Sequence, residues 1–246
     1  TVPISKASAN QRAGRAGRIR DGKCFRLYTE QAYDELPAQN IPEIQRCNLS
    51  SVILLLKTIG VNNFTTFDWI DPPNINALAQ ALSQLYALGA LSSDGKLTNI
   101  GYSMSLLPLD PMVAKMLLQS NEYGCSRDII YIAAVLGCGG TIFFTPTKRT
   151  KDSIHQQAIT AHKRFAHERG DHFTVLNIFR EFLEQTDDSL HFDKTQHYQK
   201  LTLEQRQYAQ MQWCKDNFLQ YKMLLRSQDI VKQLERRPLH HLYNYY

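Results

Sequence analysis

No apolar run in this 246-residue chain reaches the roughly 18 residues that a bilayer-spanning helix needs, although 43% of its residues are hydrophobic. With 21% of residues charged, the composition is that expected of a soluble globular protein. The opening Thr1–Gly14 lacks the apolar stretch of a secretory leader, and it starts on Thr rather than Met, as a segment of a longer chain would. The five cysteines (Cys24, Cys47, Cys125, Cys138, Cys214) are odd in number, scattered, and never spaced as Cys-x-x-Cys. Neither a disulfide framework nor a cysteine zinc site is expected, and a reducing compartment is. His155, His162, His167 and His172 form a loose series without carboxylate or Cys partners at ligand spacing, so no metal site is expected there either. A Gly-x-x-x-x-Gly-Lys-Ser/Thr loop is missing as well, and a chain without one cannot cradle phosphates by that route.

What is present concentrates near the start. Lys6, Arg12, Arg15, Arg18, Arg20, Lys23 and Arg26 face only Asp21, whereas the whole chain carries a net charge of +5, so the remainder is close to neutral. The excess is local, unlike the diffuse field of a general polyanion binder. Within it stands Gln11-Arg12-Ala13-Gly14-Arg15-Ala16-Gly17-Arg18. Read as a helix running to Arg18–Arg20, it places Gln11, Arg15 and Arg18 at i, i+4 and i+7 on one face, three multi-donor heads suited to an anion. Gly14 and Gly17 would each cost such a helix about 1 kcal/mol relative to Ala, so another backbone or a ligand is expected to approach closely.

The length leaves room for several modules. Asp21-Gly22 turns the chain into Lys23–Thr29, which alternates enough to predict a strand. Asn40–Arg46 reads as a Pro-containing connector and Leu49–Ile59 as a mostly buried helix closed by Gly60. After Phe67–Pro73 comes a helix with Leu78, Leu82, Leu85 and Leu88 on one side, stopped at Gly89, and then a hairpin turn at Asp94-Gly95. Two helices and a tight hairpin form a winged-helix pattern, but residues 74–91 contain no Lys or Arg, which weighs against a DNA-reading regulator and for a scaffold. From Asp110-Pro111 onward Val113–Gln119, Ser126–Leu136, Ile154–Glu168, Phe173–Glu184 and Cys214–Leu234 are periodic, a helical bundle in which Asp171 is placed to cap a helix. A second basic cluster, Lys148, Arg149, Lys151, Lys163, Arg164 and Arg169, is offset by acidic stretches on either side.

The Gln11–Arg18 string closely resembles the arginine-finger motif of superfamily 2 helicases in its DEAH-box form. The likeness continues through Pro42-Glu43-Ile44-Gln45-Arg46, Leu85–Leu91, Leu107–Pro111, Gly170-Asp171-His172 with Leu176-Asn177, and Trp213-Cys214 with Asn217–Leu219. The resemblance implies a mainly α architecture: the end of a RecA-like α/β domain (1–44), a winged helix (45–110), a ratchet-like bundle (111–235) with a polar insertion at 185–211, and a tail (236–246). The Asp-Glu-Ala-His box of that family is not in this chain, and neither is the OB-fold that usually follows the bundle. Half of an ATP site is thus implied, with Gln11, Gly14, Arg15 and Arg18 at the ATP phosphates, Gln11, Arg15 and Arg18 carrying the catalytic role, and Mg²⁺ held by upstream domains. It further implies RNA as substrate, with Lys163, Arg164, His172 and Asn177 as candidate contacts, a nuclear setting in pre-mRNA splicing, and spliceosomal or other ribonucleoprotein partners including a G-patch-type activator. The competing reading is a non-enzymatic module that binds RNA or a helicase partner. No membrane association is expected.

Overall fold

The structure is a computed structural model and describes residues 3–146, 152–185 and 202–236. Helices dominate these residues and no named strand occurs among them; pairing is confined to two isolated antiparallel bridges, Leu91 with Leu97 and Phe143 with Leu219. The chain divides into two compact units, one of Thr1–Leu49 with Asn63–Ala81, the other of Ser50–Asn62 with the described residues from Leu82 on.

In the first unit α1 spans Lys6–Ala13 and α2 Glu30–Asp34, each started by a hydroxyl cap: Ser5 Oγ accepts from Ser8 N, and Thr29 Oγ1 from Ala32 N, both at 3.1 Å. A single 3₁₀ turn follows at Glu43–Gln45. The core is small, drawing on Ser5, Ala9, Leu49, Phe64, Leu78 and Ala81. Two expectations change here. The basic helix does not reach Arg18: it stops at Ala13, Gly14 is its C-cap, and residues 14–20 turn. Two glycines three residues apart remove the propensity that would have carried it on. Nor does Lys23–Thr29 form a strand, because no described segment lies alongside to complete a ladder. Its apolar side chains stay in the open, Phe25 83% and Leu27 99% exposed, as is Ile19 before it at 99%.

In the second unit α3 (Ser50–Thr58) packs against α5 (Asn99–Ser105), with α6 (Pro111–Gln119) against both. Between α3 and α5 in sequence come α4 (Ile75–Ala87) and the predicted hairpin, where Gly95 takes φ +74° and Thr98 N donates to Ala90 O at 3.0 Å. Gly101 must be glycine, since a Cβ there would lie 2.2 Å from the Ala90 carbonyl oxygen. Helix–helix–hairpin is the winged-helix pattern expected. At the hairpin tip, Lys96 first and Ser92 second hold the Asp94 carboxyl down at about 2, so the tip spends its charge on itself.

The bundle follows with α7 (Ser126–Leu136), α8 (Asp152–Lys163), α9 (Asp171–Glu184), α10 (Leu203–Asp216) and α11 (Tyr221–Arg236). Here α7 packs on α6, α9 and α11, while α10 covers α9 and α11. Phe165, Phe179 and Phe182 are sealed at its centre, with Trp213 5.8 Å from Phe165 and 6.3 Å from Phe182, and Tyr221 6.3 Å from Phe182. Burial pushes the Cys214 thiol up to about 12, so it serves as an inert packing group. The predicted helix from Cys214 to Leu234 is two, because Phe218 takes φ +54° and the bridge to Phe143, with Gln220 N donating to Ile142 O at 2.8 Å, captures the break. Asp171 is the first residue of α9, and the N-cap is Gly170 at φ +111°, so the aspartate favours the helix's positive end by charge and makes no side-chain cap bond. The helix predicted over Ile154–Glu168 ends at Lys163, though Phe165 stays buried beyond it. Of the polar insertion, residues 203–211 lie in α10, which opens on a capping box between Thr202 and Gln205. Residues 186–201 of it, Lys148, Arg149 and Lys151, and tail residues 237–246 lie outside the described residues.

Candidate functional site

The candidate site is carried by α1 and the loop after it. The first amides of a helix have no partner within it, and here Lys6 N donates to Pro37 O at 2.8 Å and Ala7 N to Ala38 O at 3.1 Å. Asn40 Nδ2 adds a bond to Ser8 Oγ at 2.8 Å. The segment 37–40 thus holds the start of α1, and the arginines leave from its far end. Gly14 N donates to Asn10 O at 2.9 Å, and Arg15 N and Ala16 N each reach a carbonyl three residues back at 3.1 Å. The chain tightens into short turns after Ala13, so Gln11, Arg15 and Arg18 do not share one continuous helix and do not form one straight helical stripe.

Gln11 and all of Arg12, Arg15, Arg18 and Arg20 are exposed, and none of their side chains has a hydrogen-bonding or ion-pair partner among the described residues. Unpaired guanidinium forks at this density form a surface that fits the oxygens of an anion. Gly14 contributes differently from expectation: its amide is already committed to α1, so it offers room and no donor. A Cβ would meet only ordinary contact at Gly14 and open space at Gly17, whereas at Gly22 it would lie 1.9 Å from the Ala16 carbonyl oxygen. The close approach expected at Gly14 and Gly17 therefore occurs at Gly22, where two parts of the same loop touch.

The four candidate RNA contacts separate. Lys163 and His172 are exposed and unpaired. Arg164 is committed, with Nη2 2.5 Å from Glu181 Oε2 and its guanidinium 4.6 Å from the Phe165 ring centre. Asn177 is half-buried, its Nδ2 3.5 Å from Phe165 O. Ala158 and Phe165 are buried and Ile154 and Ala161 half-buried, as an inward face of α8 requires. Sequence reading missed His162, whose Nε2 lies 2.9 Å from Phe218 O and ties α8 to the α10–α11 break. A partner 56 residues away leaves no periodic signal. Among the described residues no group of three or more His, Cys, Asp and Glu is arranged to hold a metal.

The profile of the helicase associated domain (HA2), winged-helix, matches residues 81–109, and that of the ratchet-like helicase associated domain (HA2) matches residues 110–175. Together the two profiles run without a gap from residue 81 to residue 175, so this part of the chain is similar to the helicase-associated domain in both its winged-helix and its ratchet-like halves. The join between the two profiles falls at Asp110, whose side chain caps α6 by accepting from Met112 N at 2.9 Å. Two proteins named "Probable ATP-dependent RNA helicase DHX35", from Pongo abelii and Homo sapiens, are each 42% identical over 236 residues, 96% of this chain. The chain spans less than a third of their length, 29% of the first and 30% of the second. The helicase-associated profiles cover α4's second half through the start of α9, so the arginine loop lies outside them.

Proposed function

We propose that this chain is part of an ATP-dependent RNA helicase that couples ATP hydrolysis to movement along RNA or to remodelling of ribonucleoprotein, in nuclear pre-mRNA splicing. The observation that carries the reading is that Gln11, in the last turn of α1, and Arg15 and Arg18, on the loop that follows it, are exposed with side chains unpaired among the described residues. These side chains fit the triphosphate of an ATP gripped by another RecA-like domain. Arg15 and Gln11 would orient the γ-phosphate, and Arg18 would meet the charge that spreads over it as it transfers. Mg²⁺, in this reading, belongs to the domain that grips the nucleotide. Domain limits at 1–44, 45–110 and 111–235 go with the proposal, as do RNA as substrate and ribonucleoprotein or G-patch-type partners. The resemblance of the arginine motif and the names of the two relatives support it.

The isolated 246-residue chain has no phosphate loop, which favours a second reading, an interaction module without turnover. ATPase assay of this chain with and without RNA is expected to give no hydrolysis above blank. RNA-stimulated turnover that Arg15→Ala abolishes would overturn the division of the site between domains. For RNA, filter binding over a salt series is expected to show Lys163→Glu weakening all sequences alike and reducing the salt slope by about 1. Arg164→Glu instead places a carboxylate against Glu181 and should act through stability. An unchanged slope for Lys163→Glu would leave that residue as solvated charge.

A further inference from the structure

The two stems of the arginine loop are fastened to each other through one residue. Asn10, in the last turn of α1, uses both of its oxygens. Its backbone carbonyl accepts from Gly14 N at 2.9 Å, where the loop departs. Its side-chain Oδ1 accepts from Arg26 Nη2 at 2.9 Å and from the Tyr33 hydroxyl at 3.0 Å, where the chain has returned. The Arg26 guanidinium lies 4.3 Å from the centre of the Tyr33 ring, so its plane is held as well as its tip. Between these fastenings Gly22 rests on the Ala16 carbonyl at a distance no side chain would allow. The loop is closed at two levels, while the arginines it presents have nothing to hold them.

We infer that Asn10, Arg26 and Tyr33 are positioning residues that fix the stem of the arginine loop and thereby the orientation in which Arg15 and Arg18 are presented. The inference rests on the reading of Arg18 as the group that meets the transferring phosphoryl charge. Asn10 and Arg26 are exposed and Tyr33 only half-buried, so the three hydrogen-bond in competition with water and add little to folding. Their effect is geometric. Misplacement of a charge-stabilising group by about 1 Å is enough to cost on the order of 10²-fold in rate.

The test uses a chain of the relatives' full length that hydrolyses ATP, with Asn10→Ala, Tyr33→Phe, Arg18→Ala and the double variant Asn10→Ala with Arg18→Ala. Asn10→Ala is expected to lower kcat by about 10-fold or more, with KM for ATP within about twofold of wild type and an unchanged melting temperature. Tyr33→Phe keeps the ring beneath Arg26 and loses only one bond, so its kcat should fall less. The double variant should be no slower than Arg18→Ala alone, because a residue that acts through Arg18 has nothing left to act on once Arg18 is gone. Losses that multiply in the double variant would overturn the inference, as would a wild-type kcat for Asn10→Ala. If Asn10→Ala lowers the melting temperature, Tyr33→Phe carries the same comparison with Arg18→Ala. A wild-type kcat for Arg18→Ala itself would instead remove the functional reading on which the inference rests.

Discussion

Arg18→Ala, in a chain that also carries the nucleotide-gripping domain, is expected to lower kcat for ATP hydrolysis on the order of 10³-fold while KM changes little. The reason lies in when the interaction is made. An arginine aimed at charge that develops during transfer stabilises the transition state more than the bound nucleotide, so its loss appears in kcat. Arg18 suits that role because it is exposed and has no carboxylate to neutralise it among the described residues. Arg15→Lys should be damaging too, since an ammonium cannot reproduce a planar, two-pronged donor. Steady-state kinetics on the two variants decides the matter. A raised KM with intact kcat for Arg18→Ala would replace the catalytic role with ground-state binding.

Phe182→Ala is expected to cost the bundle about 3–5 kcal/mol, the range for removing a sealed aromatic side chain whose neighbours close in only partly. Phe182 is fully buried and touches three aromatic rings, Phe179, Trp213 and Tyr221, so the cavity is walled by rigid groups that relax poorly. Denaturant unfolding followed by Trp213 fluorescence reads it directly, with Trp69→Phe as background because the other Trp lies in the first unit. A loss below about 1 kcal/mol would mean the centre of the bundle lies elsewhere. RNA binding by the variant should fall with its folded fraction and not before.

The winged helix and the bundle were legible because long periodic helices announce themselves. The Leu78–Leu85 face, the turn at Asp94-Gly95 and the stop at Gly89 each depend on residues a few positions apart. The extent of the helix under the arginine motif was misread, since it ends at Ala13 and not at Arg18–Arg20. Three arginines within seven residues argue for an anion wherever they stand, but where a helix ends depends on the balance between propensity and what packs around it. Gly14 shifted that balance within one turn. The absent strand at Lys23–Thr29 has a similar cause, since a strand is a property of two segments and alternation reports only one of them. The Asn10–Arg26–Tyr33 cluster was illegible because its bonds span 16 and 23 residues with no period to connect them.

The bare stretch from Ile19 to Leu27 has a practical consequence for anyone preparing the protein. A stretch outside any helix or strand that exposes Ile19, Phe25 and Leu27 to solvent is a docking surface for its own kind. Purified by itself, the 246-residue chain should show scattering that grows with concentration, and the neighbouring Arg18, Arg20, Lys23 and Arg26 make that tendency stronger at high salt, where their mutual repulsion is screened. Low ionic strength, the reverse of the usual remedy for a basic protein, is therefore the condition in which it should stay dispersed.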